Sequence, residues 1–310
     1  MHYSSPHILK FNERIWIDGK DSSDEQLSIA HNSLQDILSL NLLEKLTYFE
    51  YTTLLALFLS SNMDYLVLEA GLGGEFDATN VVKNDITVIP SIGLDHQDFL
   101  GDTIEEIAAT KMRSCDNNFI LGLNISDEVL SVKDNILKNK NEIFINKNIK
   151  LSSESKELPK YLQNNLLLSL SVLEYLGFSD FNYKPPVVFG RFQNISKNIT
   201  IDVGHNPLAA QVIYDELSKR DKKIILVYNS YKDKDYKEVL TILKPVIKEV
   251  HIIDCDDDRM VKNNVLTSVT EDLLLNTKKF DIMDLNMNED YLVFGSFVVV
   301  EEFLKGYNKL

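Results

Sequence analysis

The segment Tyr65-Leu-Val-Leu-Glu-Ala70, closed by Gly71, narrows the choice of fold more than any other part of the chain. It is a short, nearly continuous apolar run, the pattern of a strand covered on both faces inside a parallel sheet. Ile86-Thr-Val-Ile-Pro-Ser-Ile92 reads as a second strand of the same kind. The one charged residue of the first run, Glu69, falls at its carboxyl end, and His96 lies just beyond the second in Gly93-Leu-Asp-His96. Ligands of open α/β sheets bind beyond the carboxyl ends of the strands, so Glu69 and His96 are expected to converge.

From Thr103 a helix is expected, with Ile104, Ile107, Ala108 and Lys111 on one face at spacings of three, four and seven. A lysine on an apolar face needs an anion, a path to solvent along its stem, or chemical modification. Taken singly, Glu69 could cap a strand end, His96 could be an ordinary loop histidine, and Lys111 could reach water. On two adjacent strand ends, the three together favour a site. Oxygen and imidazole ligands beside a lysine suit Mg²⁺ and phosphate, although two ligands do not choose the metal.

At 310 residues the chain has room for two domains of ordinary size. Its 44% hydrophobic and 25% charged residues are those of a globular protein, and no apolar run is long enough to span a bilayer. A formal charge of −15 argues against nucleic acid or anionic lipid as a nonspecific partner, and an anionic substrate would need a local basic pocket. Cys115 and Cys255 lack metal-ligand spacing, and no secretory leader pattern opens the sequence. A reducing, cytoplasmic setting is the expectation.

Taken in order, Met1 to Ile15 reads as a loop in which Ser5-Pro6-His7 could present a hydroxyl to a phosphate or metal, a plain turn being the simpler reading. Helices are expected at Leu27 to Leu40 and Leu46 to Ser60, strands at Asn118 to Leu123 and Glu142 to Asn146, and a helix at Tyr161 to Leu176 ended by Gly177. Gly71 to Asn80 is a glycine-bearing loop whose backbone can approach a ligand, which alone is weak evidence. The polar, proline-bearing stretch Gly177 to Pro186 reads as a linker.

Beyond it, strands at Ile199 to Val203, Lys223 to Tyr228, Glu249 to Ile253 and Tyr291 to Phe294 alternate with helices. The helices are expected at Pro207 to Lys219, Tyr236 to Lys248, Val261 to Leu275 and Ser296 to Lys305. Such alternation predicts a second, smaller parallel-sheet α/β domain. Asp202 and His205 precede the helix that Pro207 opens, at a carboxyl edge, and Asn206 is a natural N-cap. Arg191, directly after the linker, could offer a planar fork to phosphate, though an isolated arginine is usually at the surface. Asp233-Lys-Asp235 could cap the next helix or touch a ligand.

Several of these segments, in order, resemble the folylpolyglutamate synthase/dihydrofolate synthase family of the Mur-ligase superfamily, nearly end to end. The matching pieces are Ser4-Ser-Pro-His-Ile with Phe11-Asn-Glu-Arg-Ile, Leu46-Thr-Tyr-Phe-Glu, Glu69-Ala-Gly-Leu-Gly-Gly with Asp77-Ala-Thr-Asn-Val-Val, and Gly93-Leu-Asp-His with Leu100-Gly. Lys111, Gly190-Arg, Asp202-Val-Gly-His-Asn-Pro and Asp233-Lys-Asp complete the set.

The resemblance implies a mostly parallel-sheet Mur-ligase ATPase domain at 1–182 and a Rossmann-like α/β domain at 183–310, in a monomer. It implies an ATP-dependent ligase that adds L-glutamate to dihydropteroate or folate through an acyl phosphate, by placement and charge neutralisation. By the same likeness Ser5, Glu69 and His96 hold Mg²⁺, and Lys111, carbamylated in relatives, is catalytic together with His96. Asn165, Arg191, Asp202 and His205 contact ATP, and Thr47, Phe49, Asp77 and Ala78 line the pterin or pteroate pocket.

The sequence also departs from the pattern. Family members carry a strand, a phosphate-cradling Gly-Thr-Asn-Gly-Lys-Gly-Ser loop and a helix ahead of the Ser-Pro-His loop. No glycine-rich segment followed by Lys-Ser or Lys-Thr occurs in these 310 residues. The expectation is a truncated chain with weak or absent turnover and some apolar surface laid open. Glu75 stands where the family usually has arginine, Thr110 where glutamate is common, and Tyr161-Leu162 replaces His-Gln. The alternatives are a noncatalytic remnant or another Mur-type ligase, one acting on a peptidoglycan precursor. Leu46-Thr-Tyr-Phe-Glu and Asp77-Ala-Thr-Asn speak against the latter.

Overall fold

A computed structural model describes residues 1–123, 125–179, 183 and 187–309. The chain divides into two compact units, Met1–Tyr183 and Lys184–Leu310. Residues 180–182 and 184–186, most of the expected linker, lie outside the described residues.

The first unit holds two sheets. In one, Lys20–Asp21, Ile15–Ile17, His2–Tyr3 and Val67–Leu68 lie side by side, and only the last pair is parallel. In the other, Ile86–Ile89, Asn118–Leu121 and Asn141–Ile143 run parallel in that order. The opening segment is therefore more than a loop. It contributes the strand His2–Tyr3, with Tyr3 fully buried, and a 3-10 turn at Phe11–Arg14. A two-residue strand is too short to print a period on the sequence.

A second correction concerns Tyr65–Ala70. Only Val67–Leu68 joins the ladder, and it lies at a sheet edge, with Tyr65 50% and Val67 58% exposed. Ile86–Ile89 is likewise an edge strand, and its Val88 faces outward. The apolar composition anticipated a neighbour on both sides, and the described residues supply a hydrogen-bonding partner on one.

Helix boundaries follow local capping. Ser23, Thr47 and Thr103 accept from the N–H groups of Gln26, Glu50 and Glu106, whose side chains reach back. These capping boxes open Asp24–Ile37, Tyr48–Leu59 and Ile104–Met112, and the first starts earlier than apolar spacing alone suggests because its cap lies at Ser23. Lys160–Tyr175 ends before Gly177, whose φ of 93° is the left-handed turn glycine favours. A further helix, Asp127–Ile136, fills the stretch between the strands Asn118–Leu121 and Asn141–Ile143. Its Val129 packs with Ile89, Ala108, Met112 and Phe119.

The second unit is a six-stranded sheet ordered Thr277–Lys279, Ile247–Ile252, Ile224–Tyr228, Tyr291–Phe294, Ile199–Asp202, Gln193–Asn194. The first five are parallel, and Gln193–Asn194 is added antiparallel. Pro207–Leu217, Tyr236–Leu243, Asn263–Asp272 and Phe297–Tyr307 are its helices. The helix expected to reach Lys248 stops at Leu243, because Pro245 has no N–H for the next turn. A 3-10 turn at Lys244–Val246 leads straight into the strand at Ile247.

Ile224–Tyr228 and Tyr291–Phe294 are buried along their whole length. Gly295, at φ 128°, follows so closely that a Cβ there would sit 1.9 Å from the Asn229 carbonyl oxygen. Leu226 is fully buried in this core. Leu226→Ala is expected to destabilise the second unit by about 2–5 kcal/mol, read as a lower urea midpoint with an unchanged slope.

Candidate active site

Parallel pairing decides where the first site begins. His2 aligns with Val67 and Tyr3 with Leu68, and the Glu69 N–H donates to the Tyr3 carbonyl at 2.9 Å. Both strands thus end together and deliver Ser5 and Glu69 to one edge. The loop after Tyr3 is tied down: Ser4 N–H donates to the Arg14 carbonyl at 2.8 Å, and Arg14 Nε to His7 Nδ1 at 2.9 Å. The buried Arg14 guanidinium stands 5.8 Å from the Phe11 ring and 5.3 Å from the Tyr48 ring.

His96 follows the edge strand Ile86–Ile89 in a left-handed conformation, φ 52°, just before the short helix Gln97–Leu100. Its N–H donates to Asp95 Oδ1 at 2.9 Å, and its Nε2 lies 3.9 Å from that oxygen. Lys111 rides on Ile104–Met112, whose Ile107, Ala108 and Met112 are buried, as the spacing predicts. Burial pushes the Lys111 amine below its ordinary 10.5, and Asp95 and Asp77 pull it back up. The lysine therefore lies in the field of two loops, one holding His96 and one following Glu69. Asp95 was not singled out from sequence, although it stands beside His96 in Gly93-Leu-Asp-His96.

Next to this helix is a cavity of about 650 Å³. Thr47, Phe49, Asp77 and Ala78, the four positions of the pterin likeness, all line it, with Glu75, Phe76, Phe99 and Arg113 among the others. The walls are held by the main chain. Asp77 Oδ2 accepts from the Leu72 N–H at 2.9 Å, and Oδ1 from the Thr79 N–H at 2.9 Å and hydroxyl at 2.6 Å. Gly73, at φ 69°, comes so near Leu100 that a Cβ would lie 2.7 Å from its methyl carbon. Arg113 and Glu75 pair across the lining at 3.1 Å. Apolar and capping patterns gave no signal for Arg113, which is the C-cap of its helix.

In the second unit, Asp202 ends the strand Ile199–Asp202 and is buried. Its Oδ1 accepts from the Gly204 N–H at 2.7 Å and its Oδ2 from the Phe192 N–H at 2.8 Å. Burial raises the carboxyl above the usual range, against those bonds and the charges of Arg191 and His205. Arg191, Asp202 and His205 are thus brought together, with Arg191 5.5 Å from the Phe297 ring. Asn206 caps the next helix by accepting from the Ala209 N–H at 2.9 Å, and Asp235 caps another by accepting from Glu238 at 3.0 Å. Asn165 belongs to the first unit, exposed on Lys160–Tyr175.

Known proteins resemble this chain over nearly its whole length. Residues 27–173 match the Mur ligase middle domain, which defines the class as a Mur-type ligase. Dihydrofolate synthase/folylpolyglutamate synthase of Haemophilus influenzae is 32% identical over 357 residues, covering 97% of this chain and 81% of its own. Escherichia coli FolC, solved in complex with DHPP and ADP, has a TM-score of 0.82 at 26% identity, over 99% of this chain and 81% of that one. A bifunctional folylpolyglutamate synthase/dihydrofolate synthase solved with Mn, AMPPNP and L-glutamate has a TM-score of 0.81 at 25% identity, over 99% and 82%. The chain belongs to the dihydrofolate synthase/folylpolyglutamate synthase family. Among the described residues no helix is long and apolar enough to cross a membrane.

Because the fold disfavours the ammonium of Lys111, its protonation lowers stability. That penalty is full below the lowered folded pKa and gone above 10.5. Trace acylation followed against pH is expected to give Lys111 a midpoint below that of exposed lysines, and the melting temperatures of wild type and Lys111→Met are expected to converge as pH rises. A midpoint at the ordinary lysine value contradicts this account.

Proposed function

We propose that the chain is an ATP- and Mg²⁺-dependent ligase that joins L-glutamate to dihydropteroate, folate or both. What supports this above all is the cavity lined by Thr47, Phe49, Asp77 and Ala78, adjoining the helix of Lys111, in a chain whose relatives bear that activity in their names. The substrate carboxylate oxygen attacks the γ-phosphorus and ADP leaves. The glutamate amine then adds to the acyl carbon, and phosphate departs from the tetrahedral intermediate. Placement and charge neutralisation carry most of such a reaction.

The hydroxyl of Ser5, the carboxylate of Glu69 and the imidazole of His96 are donor types that suit a divalent cation, and in this reading these residues would hold it. When bound, the ion would neutralise phosphate charge. Lys111, its amine held uncharged more readily by burial, is suited to add CO₂, lose a proton to solvent and become a carbamate, which exchanges a costly cation for an anionic oxygen ligand. Arg191, Asp202 and His205 are read as the nucleotide contacts of the second unit, and Asn165 as one from the first.

The 310 residues contain no glycine-rich segment followed by Lys-Ser or Lys-Thr, the element whose backbone amides cradle the β- and γ-phosphates. Binding is the first test of this reading. Dihydropteroate, followed by its own fluorescence, is expected to bind saturably and to weaken roughly tenfold in Phe49→Ala, for loss of the ring face. ¹³C-bicarbonate is expected to give a carbamate resonance that Lys111→Ala lacks. A protein that binds neither dihydropteroate nor Mg-ADP overturns the proposal.

A further inference from the structure

The charged groups lining the cavity are Glu50, Glu75, Asp77, Glu106 and Arg113. Three of the carboxylates bond nearby backbone N–H groups. Glu50 accepts from the Thr47 N–H at 2.7 Å and hydroxyl at 2.8 Å, Asp77 from Leu72 and Thr79, and Glu106 from the Asp102 N–H at 2.8 Å and Thr103 N–H at 3.2 Å. Glu75 is different, since its Oε2 takes the Nη1–H of Arg113 at 3.1 Å.

Both members of the pair are fixed at the main chain. Glu75 N–H donates to the Thr110 carbonyl at 2.9 Å, and its own carbonyl accepts from Asn80 Nδ2 at 3.0 Å. Arg113 closes the helix Ile104–Met112 through its N–H to the Ala109 carbonyl at 3.0 Å. The guanidinium is half-exposed, and only one of its N–H groups is used by Glu75.

Phe49, Phe76 and Phe99 offer flat apolar surface, which suits a planar ring. Such a ring with polar edge groups gains specificity only where those groups find partners, because an unpaired one loses affinity. We propose that Arg113, oriented by Glu75, is a specificity-determining residue of this cavity. Its guanidinium donates to an acceptor on the polar edge of a fused amino-oxo heterocycle, and the second carboxylate oxygen of Glu75 accepts from the amino group beside it. The inference rests on the reading that the cavity takes a pteroate-type substrate, and it names the residues that distinguish one such ring from another.

The test is a fluorescence titration of the whole chain with pteroate and with its 2-desamino analogue. Arg113→Ala is expected to weaken pteroate roughly tenfold or more while leaving Mg-ADP affinity and melting temperature near wild type, since an exposed ion pair contributes little to stability. Arg113→Lys keeps the charge without the planar fork and is expected to stay weakened. Wild type is expected to prefer pteroate over the analogue, and Glu75→Ala to lose most of that preference. Unchanged pteroate binding in Arg113→Ala, or an unchanged preference in Glu75→Ala, overturns the inference and leaves the function standing. A wild-type chain that binds Mg-ADP but not pteroate overturns the reading of the cavity and this inference together.

Discussion

The glycine loop after Glu69 is pressed onto the last turn of the helix Ile104–Met112, and the site in the first unit depends on that contact. Glu75 N–H bonds the Thr110 carbonyl, and a Cβ on Gly74 would lie 3.2 Å from the same oxygen. Gly73 and Gly74 let the loop approach the helix this closely with no side chain to accommodate. One consequence is electrostatic, because the approach brings Asp77 into the field of Lys111. Another is steric: the space left beside the loop is the cavity, with Phe49 and Phe99 from other elements on its walls.

A chain of charge −15 would repel a phosphate-bearing ligand unless its carboxylates were locally offset. Many of its carboxylates are turned inward on the backbone. Glu50 and Glu106 serve capping boxes, Asp77 holds its own loop, and Asp202 accepts two N–H bonds at the end of its strand. Their charge is partly satisfied by N–H dipoles, which reduces the repulsion an incoming phosphate would meet. Arg191, whose charge reaches the buried Asp202 in the second unit, is a local cation of the kind the composition calls for.

The elements most legible in the sequence are those whose signals are local. Thr103 with Glu106, and Thr47 with Glu50, announced helix starts, and Pro207 behind Asn206 announced another. The long apolar runs of the second unit, Ile224–Tyr228 and Tyr291–Phe294, read as buried parallel strands because they are buried on both faces. His2–Tyr3 carried no such signal, since its identity as a strand comes from Val67 and Trp16 on either side of it. Tyr65–Ala70 misled in the opposite direction: its composition is that of a central strand, and its position is an edge.

By itself, the sequence determined that Glu69, His96 and Lys111 follow strand ends or ride an apolar helix face, because those are matters of spacing along one segment. It also determined the alternation of four strands with four helices in the second unit, but not the strands Gln193–Asn194 and Thr277–Lys279, which are too short and polar to stand out from their neighbours. Tertiary structure alone decided that Asp95 and Asp77 share the field of Lys111, and that Arg113 answers Glu75 across a cavity. Those pairs join residues far apart in the chain, and their proximity follows from how a glycine loop packs on a helix, which neither segment encodes alone.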